Sequence, residues 1–241
     1  MSLFSRRKRA AETPEPEGTD DAAATDATGT DGAEEATTTG GGPHDVADVP
    51  ELGPRLDLGA LRIPPRAGMQ LRLEIEKKSR NVVAVTLALS GSAMQLQVFA
   101  APRSTGIWSE LREEISASVS KQGGTSDEVT GPFGRELITR LPVKTPEGQP
   151  AHRPARFLGI DGPRWFLRAV LTGRSAVDPA VAAELEAVLA DVVVVRGAEA
   201  RAPRDVLLLH APGKPTAPRA TEQAEPGLDP LRRGPEITEV R

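Results

Sequence analysis

The residues best suited to move a proton or hold a metal near neutral pH are His44, His152 and His210, and they stand far apart in a chain of 241 residues. A metal centre needs two of them at a spacing such as i, i+4, with carboxylates nearby, and no such spacing occurs. Cysteine is absent, which removes disulfides, thiolate nucleophiles and cysteine-ligated metals. Chain order leaves a Ser–His–Asp constellation open, yet there is no Gly-x-Ser-x-Gly turn to present a serine. Gly40-Gly41-Gly42 and Gly123-Gly124 match neither a phosphate-binding loop nor a dinucleotide fingerprint. Glu110, Glu113 and Glu114 cluster, but on a helix opposite an apolar stripe they read as a solvated face rather than a catalytic pair. No catalytic residue, cofactor or metal site is therefore expected.

Two other clusters point to binding. In Arg164-Trp165-Phe166-Leu167-Arg168, strand periodicity places Trp165, Leu167 and Ala169 on one side. Arg164, Phe166 and Arg168 then share the other, and arginine stacks well on aromatic rings. Trp108, near the start of a helix and close to Arg103, extends this set. The binding candidates are thus Arg103, Trp108, Arg164, Phe166 and Arg168, set against the plainer reading of a core tryptophan beside surface arginines. The second cluster, Arg6, Arg7, Lys8 and Arg9, suits weak, salt-sensitive contact with an anionic surface.

The elements that must position these residues follow from the hydrophobic pattern. From Ala10 to Glu51 there is no Lys or Arg, and acids, Thr, Gly and Ala dominate. Such a stretch buries too little apolar surface to offset the entropy of ordering. Residues 1–54 are expected to be a disordered, basic-then-acidic tail and 211–241 a disordered, proline-rich one. Between them, 55–210 reads as one domain. Met69–Glu76, Val82–Leu89 and Ala93–Ala100 alternate as strands with short connections, a meander. Ile107, Trp108, Leu111, Ile115 and Val119 recur at helical spacing, with Ser104 or Thr105 as cap and Gly123-Gly124 as stop. Val129 and Leu137–Val143 flank a hairpin loop at Gly131-Pro132-Phe133-Gly134. Lys144–Pro154 reads as a proline-rich connection, and Asp161-Gly162-Pro163 turns a second hairpin. Asp178-Pro179 opens a second helix, and Val192–Val195 and Val206–Leu209 read as short last strands. The fold class is α+β: an antiparallel sheet packed by two helices, similar in element order to the Mog1/PsbP-like sandwich.

Several stretches together resemble a family: Gln95–Arg103, Gly106-Ile107-Trp108 with Glu110–Ile115, Gly159–Arg168, Val193–Gly197 and Ala202–Asp205. They resemble the actinobacterial domain of unknown function 3710, over roughly Arg55 to His210. The resemblance implies a bacterial, cytoplasmic setting and brings no activity, substrate or site residue with it. The formal charge of -4 and a pI near 5.6 argue against nucleic acid as partner, and no apolar run is long enough to span a bilayer. The residues point to a non-enzymatic protein-binding or adaptor domain acting near Trp108 and Arg164–Arg168. The alternative is a small-molecule or lipid pocket between sheet and helix, with an unrecognised hydrolytic activity left open.

Overall fold

Alternating and β-branched runs make the strands here, and in this computed structural model residues 41–213, apart from Thr105, are described. In chain order they are β1 (His44–Asp45), β2 (Leu56–Asp57), β3 (Leu61–Ile63), β4 (Gln70–Ile75), β5 (Val82–Leu89) and β6 (Ser92–Ala100). Helix α1 (Trp108–Lys121) follows, then β7 (Thr125–Gly131), β8 (Gly134–Lys144), β9 (Pro150–Gly162) and β10 (Trp165–Gly173). A 3-10 turn at Arg174–Ala176, helix α2 (Pro179–Ala190) and β11 (Val193–Val194) complete the set.

The large sheet has seven strands in the order β4-β5-β6-β10-β9-β8-β7, with every pair antiparallel. It is two meanders joined in the middle. The first, β4-β5-β6, ends at Ala100, and α1 carries the chain to the far edge. From there β7, β8, β9 and β10 return by hairpins until β10 pairs with β6, Trp165 opposite Ala100 and Gly173 opposite Ser92. The period-two alternation then decides what each face buries. Val85, Leu87, Met94, Leu96, Val98, Leu158, Leu167 and Leu171 enter the main core with Leu185, Val188 and Leu189 of α2. Phe99 and Phe166, one residue out of phase, pack under α1 with Ile107, Trp108, Leu111 and Ile115. Burying each large apolar side chain contributes about 1.5–3 kcal/mol, which fixes the register of β10 on both faces.

One helix stop and one start follow local chemistry. Asp178 Oδ1 accepts from the Ala180 N–H at 3.0 Å with Pro179 in the first turn, and Gly123 takes a φ of 74° just past α1. The other start does not. Ser104 makes no capping bond; the helix begins at Trp108, and the Asp161 carboxylate accepts from the Ile107 and Trp108 N–H groups at 2.9 and 3.3 Å. A cap supplied across the fold replaces the expected local one.

Four further expectations are corrected. The Lys144–Pro154 connection is a long β8–β9 hairpin with Pro142, Pro150 and Pro154 inside its strands. Pairing with β7 stops at Arg140 and pairing with β10 at Ala155. These prolines therefore lie where each strand has one neighbour, and need forfeit no ladder bond. A second, four-stranded sheet, β1-β11-β3-β2, was not legible because its strands have two or three residues. Val206–Leu209 makes isolated bridges only. The fold also starts before Arg55: His44 and Asp45 pair in parallel with Val193 and Val194, and so part of the expected tail belongs to the domain. Residues 1–40, Arg6–Arg9 among them, and 214–241 lie outside the described residues. No helix among the described residues is long and apolar enough to cross a membrane.

Candidate functional site

The antiparallel register brings part of the expected set together. Trp108 and Phe166 are 3% and 0% exposed, and so serve as core rather than contact surface. Their rings stack at 5.8 Å, and Phe99 adds a third at 6.0 Å from Phe166. The indole lies directly over Gly159, where an added Cβ would sit 2.1 Å from Trp108 Cδ2. Its Nε1 donates to the Arg135 carbonyl at 2.6 Å, and the Arg112 guanidinium sits 5.5 Å above its ring.

Arg164 is not on that face. It occupies the turn before β10 with a φ of 68°, where its carbonyl accepts from the Ala101 N–H at 3.0 Å. Arg103 is exposed and does not join the cluster.

Arg168 does. It rises from β10 beside Phe99, its guanidinium 5.7 Å from that ring, and donates to Gln97 Oε1 at 2.6 Å. Its buried Nε has no hydrogen-bond partner among the described residues. Burial pulls its pKa below the usual arginine range, with Glu74 pulling the other way. The Glu74 carboxylate is already engaged by Thr86 Oγ1 and by Gln95 Nε2. A guanidinium stays charged at neutral pH, so Arg168 is a half-buried cation with donors to spare.

Between this arginine and α1 runs a groove of about 250 Å³. Phe99, Ile107, Leu111 and Ile115 wall it, and Ser118, Glu114 and Arg204 form its rim. Arg204 bridges to Glu114 at 2.8 Å and Glu110 at 2.7 Å, which explains the acidic cluster as a neutralised rim. Neither Phe99 nor Arg204 was singled out by sequence. Phe99 shares the phase of Gln95 and Gln97 and was findable; Arg204 approaches α1 only through the tertiary fold.

The opposite face holds a second polar cluster that sequence reasoning missed. Arg156 lies between two carboxylates, its Nε on Glu136 Oε2 at 2.5 Å and its Nη1 on Glu186 Oε1 at 2.7 Å. Glu136 is 1% exposed and takes the space a side chain on Gly131 would need, 2.0 Å from that ideal Cβ. Burial raises the Glu136 pKa against the lowering pull of Arg156, and its Oε1 has no hydrogen-bond partner. Burial opposes the charge of Arg156, but the two carboxylates outweigh it and raise its pKa. A cleft of about 350 Å³ borders the triad, under the β7–β8 hairpin and the start of α2. No group of three or more His, Asp or Glu suited to a metal occurs among the described residues.

Compared with known proteins, residues 42–218 match one family model, described as a protein of unknown function, DUF3710. No curated protein and no solved structure matches.

Proposed function

The chain belongs to the DUF3710 family, and from that premise we propose that it is a non-enzymatic binding domain whose α1–sheet groove holds a short apolar chain ending in an acid. The observation that carries this reading is Arg168: a charged group in an apolar groove, with one neutral side-chain acceptor and an unpartnered Nε. A carboxylate on the ligand supplies the missing acceptor, and a charge-assisted bond of that kind contributes about 1.5–3 kcal/mol. Size narrows the ligand. Pockets for drug-sized molecules run to about 300–1,000 Å³, and a groove of about 250 Å³ suits one short chain. Of the two readings of the sequence, the pocket between sheet and helix is therefore better supported than a flat aromatic surface. A Mog1/PsbP-like sandwich is part of the same reading, supported by one helix on each sheet face.

Titration calorimetry with decanoate and decanol tests it. Decanoate is expected to bind, decanol more weakly, and Arg168→Met to lose roughly tenfold in decanoate affinity. Equal binding of acid and alcohol, or no effect of the substitution, defeats the proposal.

A second reading keeps the protein partner. The polar row Glu74, Thr86 and Gln95 continues from Arg168 across β4, β5 and β6, a surface that a small amphiphile would leave unused. An adaptor site would seat an apolar side chain in the groove with an acidic residue beside it. Binding of a peptide ending in Leu-Asp, with no binding of decanoate, selects this reading.

A further inference from the structure

The two edges of the seven-stranded sheet differ in what they offer to another strand. An edge strand carries outward N–H and C=O groups that a second chain can pair with, and proteins blunt such edges with proline or with charge. The free ends of β8 and β9 are blunted by Pro142, Pro150 and Pro154. Edge strand β7 holds Asp127 and Glu128 and no basic residue, so a second copy laid against it would bring acid beside acid. The other edge, β4, is different. Gln70–Ile75 contains no proline and pairs only with β5 among the described residues. Leu71 and Leu73 are half-buried at the rim of the main core. Ile75, opposite Val82 on that same face, is 61% exposed. Gln70, Arg72 and Glu74 alternate to the other face. Arg72 is exposed and makes no ion pair among the described residues.

The order of these residues makes the strand its own complement. An antiparallel pair sets residues of the same face directly opposite each other. Two copies of β4 related by a two-fold axis through Leu73 therefore place Leu71 against Ile75 of the second copy, twice, with the two Leu73 side chains between them. On the other face the same register places Arg72 against Glu74, again twice. Apolar pairs and opposite charges at directly opposed positions stabilise a sheet, and like charges there destabilise it. An axis moved to Arg72 would oppose two guanidiniums, and one moved to Glu74 two carboxylates. Charge thus selects one register. We infer that two copies of this chain pair through β4, antiparallel about Leu73, and join their seven-stranded sheets into one. The contact uses the same strand in both copies, so assembly closes at the dimer.

Sedimentation equilibrium of the full chain tests it. Over roughly 1 μM to 1 mM protein the mass is expected to rise from monomer to dimer and no further. Arg72→Glu and Glu74→Arg each bring like charges into opposition, and each should weaken the dimer roughly tenfold. Mixed in equal amounts, the two variants restore both ion pairs and are expected to associate with each other as tightly as the wild-type chain does with itself. A merely structural effect of either substitution would not be rescued in this way. Glu74→Arg gives up the bonds to Thr86 and Gln95; should it fail to fold, two further measurements decide. Ile75→Lys, at an exposed position, should weaken the dimer as well. In a mixture of methyl-labelled and unlabelled chains, NOEs between copies are expected from Leu71 to Ile75, which lie ~13 Å apart within one strand. A chain still monomeric at the highest concentration, a mass that grows beyond the dimer, or a dimer without the Leu71–Ile75 NOE overturns the inference. So does a mixture of two folded variants that stays monomeric.

Discussion

Arg156 and Arg168 sit on neighbouring strands and point to opposite faces of the same sheet. Arg156 is held by two carboxylates, whereas Arg168 has one amide oxygen, an aromatic ring and an unpartnered Nε. A buried cation that is matched serves the fold, and removing it strands the charges around it. One left short of acceptors contributes little to stability and is available to a ligand. The difference separates a structural cluster from the proposed binding one without appeal to any motif.

The largest expected effect lies on the matched side. Arg156→Met leaves Glu136 buried with no cation against it and should cost about 3 kcal/mol in urea unfolding at neutral pH. The loss should shrink on acidification. Because the folded Glu136 pKa is already raised, its favourable contribution is complete below the unfolded carboxylate value of about 4.3 and is lost as pH rises through the folded value. Losing Arg156 lifts that folded value further and widens the window. Adding Glu136→Gln should flatten the variant's extra pH dependence; a deficit independent of pH would remove the stranded carboxylate from the explanation.

Gly159→Ala comes next, since its methyl would collide with the Trp108 ring. Overpacking at such a contact costs about 1–3 kcal/mol, read from the thermal midpoint. Tryptophan emission should change with it, because the indole must move. Asp161→Ala removes the tertiary cap of α1 and is expected to cost about 1 kcal/mol. Amide exchange should speed up in the first turn of the helix while α2 keeps its rate.

The smallest change in stability is expected at Arg168→Met, within about 1 kcal/mol of wild type, since an apolar side chain of similar length meets an apolar groove. The same variant should bind decanoate roughly tenfold more weakly. A large loss of stability at Arg168 together with a small one at Arg156 would invert the comparison and take the groove proposal with it.

Much of the scaffold could be read locally. The β4-β5-β6 meander, the apolar stripe of α1, the Gly123 stop, the Asp178-Pro179 start of α2 and the existence of a β9–β10 hairpin all depend on chemistry within a few residues. The opposite facing of Trp165 and Phe166 followed from alternation alone, because a strand has no other way to arrange its side chains. Strands of two or three residues carry too few positions to show a period, so the small sheet stayed hidden. Arg164 was misplaced because the turn is Pro163-Arg164 rather than Asp161-Gly162-Pro163, whose first two residues belong to β9.

The candidate site was legible only in part, for a physical reason. Sequence determined that Arg168 and Phe166 share a face and that α1 is amphipathic. Register between distant strands decided the rest: that Phe99 and Trp108 meet Phe166, that Asp161 caps a helix begun more than fifty positions earlier, and that Glu136 reaches Arg156 while no carboxylate among the described residues does the same for Arg168. Charge balance at a buried group is a property of neighbours in space, and the pairing of strands far apart in the chain chooses those neighbours.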